Sequence, residues 1–204
     1  MEERQVLMSC DVSSLVIDRL CDQARGRRVA VACFYFDFAA RKEQSLARML
    51  GALLKQVVSG LEDIPGEIVQ AFEDHKKVID GRGPRLADIV KMLQTTTSKK
   101  PTFICIDALD ECVAGYRIKL LDSLKQILRR SPGTRVFVTA RPHIQAEVGK
   151  RLPKRVMTIR ITPRGDDIIS YLCRKLDEDT TPDAMDSCLK ADILKKIPED
   201  ISEM

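Results

Sequence analysis

Residues 101–112 read PTFICIDALDEC, and this stretch decides the fold. Its apolar run, Phe103–Ile106, does not alternate with polar residues, which is typical of a strand covered on both faces within a parallel sheet. Pro101 can begin such a strand but could not lie inside it. Three carboxylates follow the run: Asp107, Asp110 and Glu111.

The acidic cluster allows two interpretations. In open α/β sheets, ligands bind at the carboxyl ends of the strands. Carboxylates placed there can hold Mg²⁺ and an attacking water beside a phosphate. Carboxylates after a strand also cap the next helix and add favourable charge to its first turn. The pattern alone leaves the metal site and the structural role open.

Composition limits the class of protein. The chain has 204 residues, of which 44% are hydrophobic, 31% are charged and 4% are aromatic, with no Trp. These values predict a helix-rich protein with one sizeable domain and the beginning of another. The net charge of +4 is modest and Lys and Arg are mixed with acids, so we expect no nucleic-acid partner.

Cysteine usage and hydropathy indicate a reducing location. The seven cysteines are scattered without a CxxC pair, and there are two histidines, which argues against a zinc site. The N-terminal residues lack the basic and apolar parts of a secretory signal. No apolar run approaches the ~20 residues that cross a bilayer. We therefore expect a cytoplasmic protein that does not span a membrane.

The order of apolar patterns predicts an α/β fold with a mainly parallel sheet. Residues 5–9 could form a short strand or none, and a helix follows with Asp11 or Ser13 as its cap. Further strands are predicted at 29–38, 135–139 and 156–161. Further helices are predicted at 46–58, 64–77, 86–93, 120–130, 168–172 and 184–196, with residues 95–98 in a loop.

The strand that ends in an acidic cluster has the shape of a Walker B element. In that interpretation Asp107 holds Mg²⁺, mostly through water, and Asp110 supports it. Glu111 orients or polarises the attacking water, because phosphoryl transfer depends on positioned charge.

Two further side chains fall at the same predicted edge. Arg141 follows the next strand and could bind or sense a γ-phosphate through bidentate hydrogen bonds, or could be a solvated loop residue. Asp37 ends the strand at 29–38, and a capping or structural role is the simpler interpretation.

At these motifs the chain resembles a known family. FYFDF, FICIDALDEC and VFVTARPH, in this order and spacing, are similar to the NACHT NTPase domain of fungal NOD-like (STAND-class) proteins, also called the nephrocystin-3-like N-terminal domain. The resemblance implies a P-loop NTPase-like three-layer fold. It also implies Mg²⁺ with ATP or GTP as cofactors, and protein partners or self-oligomerisation in the full-length relative.

One family motif is missing. A Walker A loop, Gly-x-x-x-x-Gly-Lys-Ser/Thr, should precede Ser13, because its backbone cradles the phosphates and its Lys reaches them. The resemblance puts Ser9 where Lys belongs, Cys10 where Ser or Thr belongs, and the charge of Asp11 near the phosphate. No Gly precedes Gly26. We therefore expect weak or absent ATP binding.

Two explanations for the missing loop remain, a degenerate family member or a truncated gene product or gene model. We expect a NACHT-like core over residues 1–163 and a truncated helical region over 164–204. Three functions compete: a nucleotide-dependent regulatory switch, a non-catalytic interaction scaffold, and an unrelated metal-dependent phosphotransfer enzyme that uses the same acids.

Overall fold

The computed structural model describes residues 2–39, 44–61, 63–77, 84–152, 157–161, 165–178 and 186–202; for 2–12, 75–77 and 199–202 it describes the backbone alone. The strands are β1 (Ala30–Tyr35), β2 (Thr102–Asp107) and β3 (Thr134–Val138). The helices are α1 (Glu2–Ala24), α2 (Leu46–Ser59), α3 (Gly66–Lys77), α4 (Leu86–Lys99), α5 (Ala114–Arg130), α6 (Gln145–Arg151), α7 (Gly165–Asp177) and α8 (Ser187–Ser202). The chain divides into two compact units, residues 1–156 and 157–204.

The first unit is built on a parallel sheet with β2 in the middle, in the order β1-β2-β3. Cys33 of β1 lies opposite Cys105 of β2, which in turn lies opposite Phe137 of β3. The α/β class and the parallel sheet are thereby confirmed. Since the strands are parallel and in register, their carboxyl ends meet at one edge.

Side chains of β2 alternate between two helix-covered faces. Ile104 and Ile106 lie in the main apolar cluster with Leu50 of α2 and Leu121 of α5. Asp107 faces the other way, toward α1. One face of β2 therefore packs in the apolar core, and the opposite face carries the Asp107 carboxylate.

The strongest helical pattern gives the best-defined helix. Ser45 caps α2 by accepting a hydrogen bond from the backbone N–H of Arg48 at 3.4 Å, and Gly60 follows its last turn. Gln56 of α2 reaches the outer edge of β1. Its amide accepts from the backbone N–H of Cys33 at 2.9 Å and donates to the Cys33 carbonyl at 2.8 Å. The side chain therefore bonds this edge as a neighbouring strand would.

The start of the chain differs from the prediction. Residues 5–9 belong to α1, which begins at Glu2, so they are not a strand. Asp11 and Ser13 lie inside α1 and do not cap it. The Ser13 hydroxyl is used in a tertiary contact instead. The side chains of Ser9, Cys10 and Asp11, which the phosphate-loop argument concerned, lie outside those described.

Two other predictions were wrong in part. Residues 95–98 continue α4 instead of forming a loop. Within this helix the hydroxyls of Thr96 and Thr97 are satisfied by the Leu93 carbonyl, to which they donate at 3.0 and 2.7 Å. Residues 157–161 form no strand, and no described residue pairs with their backbone. Val156, the first residue of that predicted strand, lies outside the described residues.

The second unit contains α7 and α8, which pack on each other. Lys190 of α8 donates to Asp177 of α7 at 2.7 Å on the surface, and Leu172 is the buried apolar residue of α7. None of the described helices combines the length and apolar character that a bilayer crossing requires.

Candidate functional site

Asp107 occupies the carboxyl end of β2 and is 4% exposed. Its Oδ1 accepts hydrogen bonds from the hydroxyl of Ser13 on α1 and from the hydroxyl of Thr139, just beyond β3, the latter at 2.5 Å. Buried carboxylates are stable only when they are paired or hydrogen-bonded. Here two hydroxyls from distant parts of the chain do this.

Thr139 joins the ends of β2 and β3. Its N–H donates to the Ile106 carbonyl at 3.0 Å, and its own carbonyl accepts from the N–H of Leu109 at 3.0 Å. Its hydroxyl oxygen also accepts from the N–H of Ala108 at 3.0 Å. Ala108 has a φ of 51°, in the left-handed region that alanine rarely adopts. The bonds to Thr139 hold the backbone in this turn, which directs the following acids.

Asp110 and Arg141 pair with each other. The Nε of Arg141 lies 3.4 Å from Oδ2 of Asp110, and the backbone N–H of Arg141 donates to Oδ1 of Asp110 at 3.1 Å. The Asp110 side chain is 6% exposed and the Arg141 side chain is 25% exposed. Both Asp110 oxygens are therefore engaged by the residue that was expected to contact a phosphate.

Glu111 is the least neutralised acid of the site. It is 9% exposed, and no described residue donates a hydrogen bond to its carboxylate. Burial is the main cause that raises its pKa, and the negative charge of Asp110 adds to the effect, while Arg141 opposes it. A carboxyl with a raised pKa is suited to hold or exchange a proton, which is compatible with the role predicted for Glu111.

Arg117 of α5 donates hydrogen bonds to backbone carbonyls of the acidic turn. Its Nη1 donates to the Cys112 carbonyl at 3.0 Å and to the Asp110 carbonyl at 3.4 Å. The same guanidinium pairs with Glu147 of α6 at 3.0 Å. The 3₁₀ turn Leu109–Glu111 is therefore held through the side chain and the carbonyl of Asp110.

The structure brings the four predicted site residues to one edge: Asp107, Asp110, Glu111 and Arg141. Asp37 lies near enough for its charge to raise the pKa of Glu111, although its own Oδ1 accepts from the Ala39 N–H at 2.8 Å. That bond fits the structural interpretation of Asp37. The catalytic, metal and phosphate roles of the four residues remain predictions.

The residues present do not by themselves fit a magnesium ion. In the described part of the chain, no three His, Cys, Asp or Glu side chains lie close enough to hold a metal. Asp107 and Asp110 already accept hydrogen bonds from Ser13, Thr139 and Arg141. Mg²⁺ at such sites takes one or two carboxylates and completes its shell with water and substrate phosphates. The loop that would hold those phosphates is not found in the sequence.

Sequence reasoning missed Ser13, Thr139 and Arg117. Ser13 was considered only as a cap or as a marker of the missing loop. Thr139 had a usable signal, because a hydroxyl directly after a strand, two residues before Arg141, lies at the edge where the acids meet. Arg117 had no signal, since its partners depend on how α5 and α6 pack.

The fold and the site define an α/β protein with an acidic, arginine-paired strand end. Residues 11–141 match the family model described as nephrocystin 3, N-terminal. The match covers more than half of the chain, and the chain belongs to this family. All four predicted site residues fall within the matched range.

Among solved structures, the chain is similar to the Aeropyrum pernix ORC1 protein in complex with DNA. The identity is 18%, the TM-score is 0.47, and the alignment covers 82% of this chain and 40% of that one. A likeness at this level assigns neither fold nor function. The chain spans less than half the length of that protein. No curated protein matches the chain.

Proposed function

We propose that this chain is part of a NACHT-type (STAND) regulatory module that acts as a nucleotide-dependent switch in its full-length relatives. Its own affinity for ATP or GTP is low. Family membership supports the module, and the convergence of Asp107, Glu111 and Arg141 at one strand end supports its nucleotide-binding origin. Such switches work when a γ-phosphate stabilises one of two loop arrangements.

One observation carries the low affinity: Arg141, the residue predicted to contact a phosphate, is engaged by Asp110 through an ion pair and a backbone hydrogen bond. A nucleotide would have to break this pair without help from a glycine-rich loop and its Lys. Each missing hydrogen bond to a charged phosphate weakens binding by about 1.5–3 kcal/mol. Since about 1.4 kcal/mol is tenfold, the absence of about three such bonds, each at the lower value, moves binding from the micromolar to roughly the millimolar range.

The proposal also covers organisation and location. Residues 1–163 form the NTPase-derived core, and residues 164–204 begin the helical region that follows it. The module works in the cytoplasm through protein partners or self-oligomerisation. The mixed surface charge supports a protein partner over a nucleic acid.

Calorimetric titration with Mg·ATP, and with ATP in EDTA, tests the proposal. We expect weak, saturable binding of the nucleotide in the range of roughly 1 mM. Arg141→Gln should weaken it about tenfold or more, because the variant lacks the guanidinium that would bind the phosphate at this edge. Arg129→Gln, on the exposed end of α5, is the matched control and should bind as the unmodified chain does.

Three other outcomes would each exclude part of the proposal. Micromolar affinity contradicts the impaired binding. Complete absence of saturable binding contradicts the switch and favours the scaffold. Mg²⁺-dependent turnover that disappears in Asp107→Ala would indicate an unrelated phosphotransfer enzyme.

The scaffold is the second candidate, and the surface of α3 favours it. Val69 and Phe72 on α3 are 43% and 46% exposed, and Ile64 just before the helix is 51% exposed. Apolar side chains grouped in this way are typical of protein–protein contact surfaces. In this alternative the strand-end polar groups hold the fold together, and the helices carry whatever interaction remains.

A further inference from the structure

A groove of about 530 Å³ lies between α5 and the segment 143–151, and none of the strand-end acids lines it. Asp122 and Lys125 line it from α5, one helical turn apart. His143 and four residues of α6 line it from the other side, at positions that share one helix face. The volume lies within the range of small-molecule sites.

The charges of this groove do not cancel. Two carboxylates line it, and an arginine neutralises each: Arg151 pairs with Asp122 at 3.0 Å, and Arg117 pairs with Glu147 at 3.0 Å. Lys125 and Lys150 also line the groove, and neither has a hydrogen-bond or ion-pair partner among the described residues. Two positive charges therefore remain uncompensated on facing walls.

Two ion pairs hold the walls of the groove together in the absence of a ligand. The two arginine–carboxylate pairs link α5 to α6 at two levels, and the Arg117 side chain is only 11% exposed. Ala146 also lines the groove and contributes only a small side chain. His143 adds a hydrogen-bonding ring at the amino-terminal end of α6, and it too has no partner among the described residues.

We propose that this groove binds a small polyanion, a molecule of about metabolite size with two or more negative charges. The ammonium groups of Lys125 and Lys150 would contact separate charges of the ligand, and His143 would supply a further hydrogen bond. Lysine ammonium groups bind phosphates and carboxylates as flexible point charges, so the site selects for charge more than for shape. This site is independent of the nucleotide role proposed for the strand ends.

The test is a titration of the ¹⁵N-labelled chain with inorganic pyrophosphate at constant ionic strength, followed by amide chemical shifts. We expect saturable shifts confined to residues 119–126 and 143–151. A parallel titration with citrate separates the two sources of charge. Response to pyrophosphate alone assigns a phosphorylated ligand, and equal response to citrate assigns a polycarboxylate as well.

Variants decide whether the two lysines carry the binding. The double substitution Lys125→Gln/Lys150→Gln should weaken binding about tenfold, since each lysine contributes a contact of modest strength. The matched control is Lys91→Gln/Lys99→Gln on the exposed side of α4, which should leave affinity unchanged. Lys125→Arg/Lys150→Arg should retain most of it, and serves if the Gln variant does not fold.

Three results would overturn the proposal. Pyrophosphate shifts spread over many surface lysines would mean nonspecific attraction. Shifts confined to residues 107–111 and 139–141 would place the anion at the strand ends instead. An equal decrease in affinity in the α4 control would remove the specific role of Lys125 and Lys150.

Discussion

The two ends of the parallel sheet both bury polar side chains, but in different ways. At the amino end, the hydroxyls of Thr97 and Ser131 lie 2.7 Å apart, and Thr97 donates to the nearby Leu93 carbonyl. At the carboxyl end, a charged group, Asp107, takes its hydrogen bonds from Ser13 and Thr139, which are 94 and 32 residues away.

The two ends differ in charge, because the side chains joined at the amino end are neutral hydroxyls and the one buried at the carboxyl end is a carboxylate. At the amino end, Thr97 donates to the Leu93 carbonyl four residues away, whereas the Ser131 hydroxyl lies next to that of Thr97 and donates to the Gln94 carbonyl, 37 residues away. Neutral hydroxyls therefore also join two chain segments at this end. The buried oxygen Oγ1 of Thr134 is the one exception among the described residues, since it has no partner there. The carboxyl end depends on three chain segments around a charge. Such an arrangement is stable when complete and costly when one member is removed.

The largest expected effect is from Asp107→Ala. Removing the carboxylate leaves the hydroxyls of Ser13 and Thr139 without their charged acceptor, and we expect a decrease of about 3 kcal/mol in the free energy of unfolding. Urea unfolding, with the slope checked for constancy, measures it. An increase in stability would instead mean that burying Asp107 destabilises the fold, as expected of a residue retained to bind a ligand.

The same substitution at both ends gives the second prediction. Ser13→Ala removes a hydrogen bond to a charged group, and should lower the free energy of unfolding by about 2 kcal/mol. Ser131→Ala removes neutral bonds and should cost about 1 kcal/mol. Urea midpoints of both variants provide the comparison. Equal decreases would show that the charge at the carboxyl end adds nothing.

The smallest effect concerns Glu111 and depends on pH. Its pKa is raised above the ordinary 4.5 on folding, so the folded state binds the proton more tightly than the unfolded state. Stability from this group is present below pH 4.5 and is lost as pH rises through the raised value.

Glu111→Gln removes this dependence. The variant should gain stability relative to the unmodified chain as pH increases above 4.5, and should show little difference below that pH. Thermal unfolding at several pH values measures the difference. Glu67→Gln, on the first turn of α3, controls for the removal of one negative charge. Parallel behaviour of the two variants would contradict the argument from burial.

Much of the fold could be predicted from local patterns. The unbroken apolar run before Asp107 identified the central strand, because a strand buried on both faces has no alternating polar residues. The apolar stripe that begins at Leu46 identified α2, because a helix buried on one face repeats its apolar residues every three or four positions. The pattern failed at 157–161, where alternating apolar residues form no strand. A strand needs a neighbouring backbone, and periodicity carries no information about that neighbour.

The sequence by itself determined that Asp107, Asp110 and Glu111 follow a buried strand and that Arg141 follows the next one, since parallel strands bring such residues to one edge. Only the tertiary structure decided that Ser13 and Thr139 satisfy Asp107 and that Arg141 pairs with Asp110. Those partners are separated by tens of residues, and their distances depend on how helices pack on the sheet. Hydrogen bonds are decided at tenths of an ångström, which no spacing in a sequence specifies.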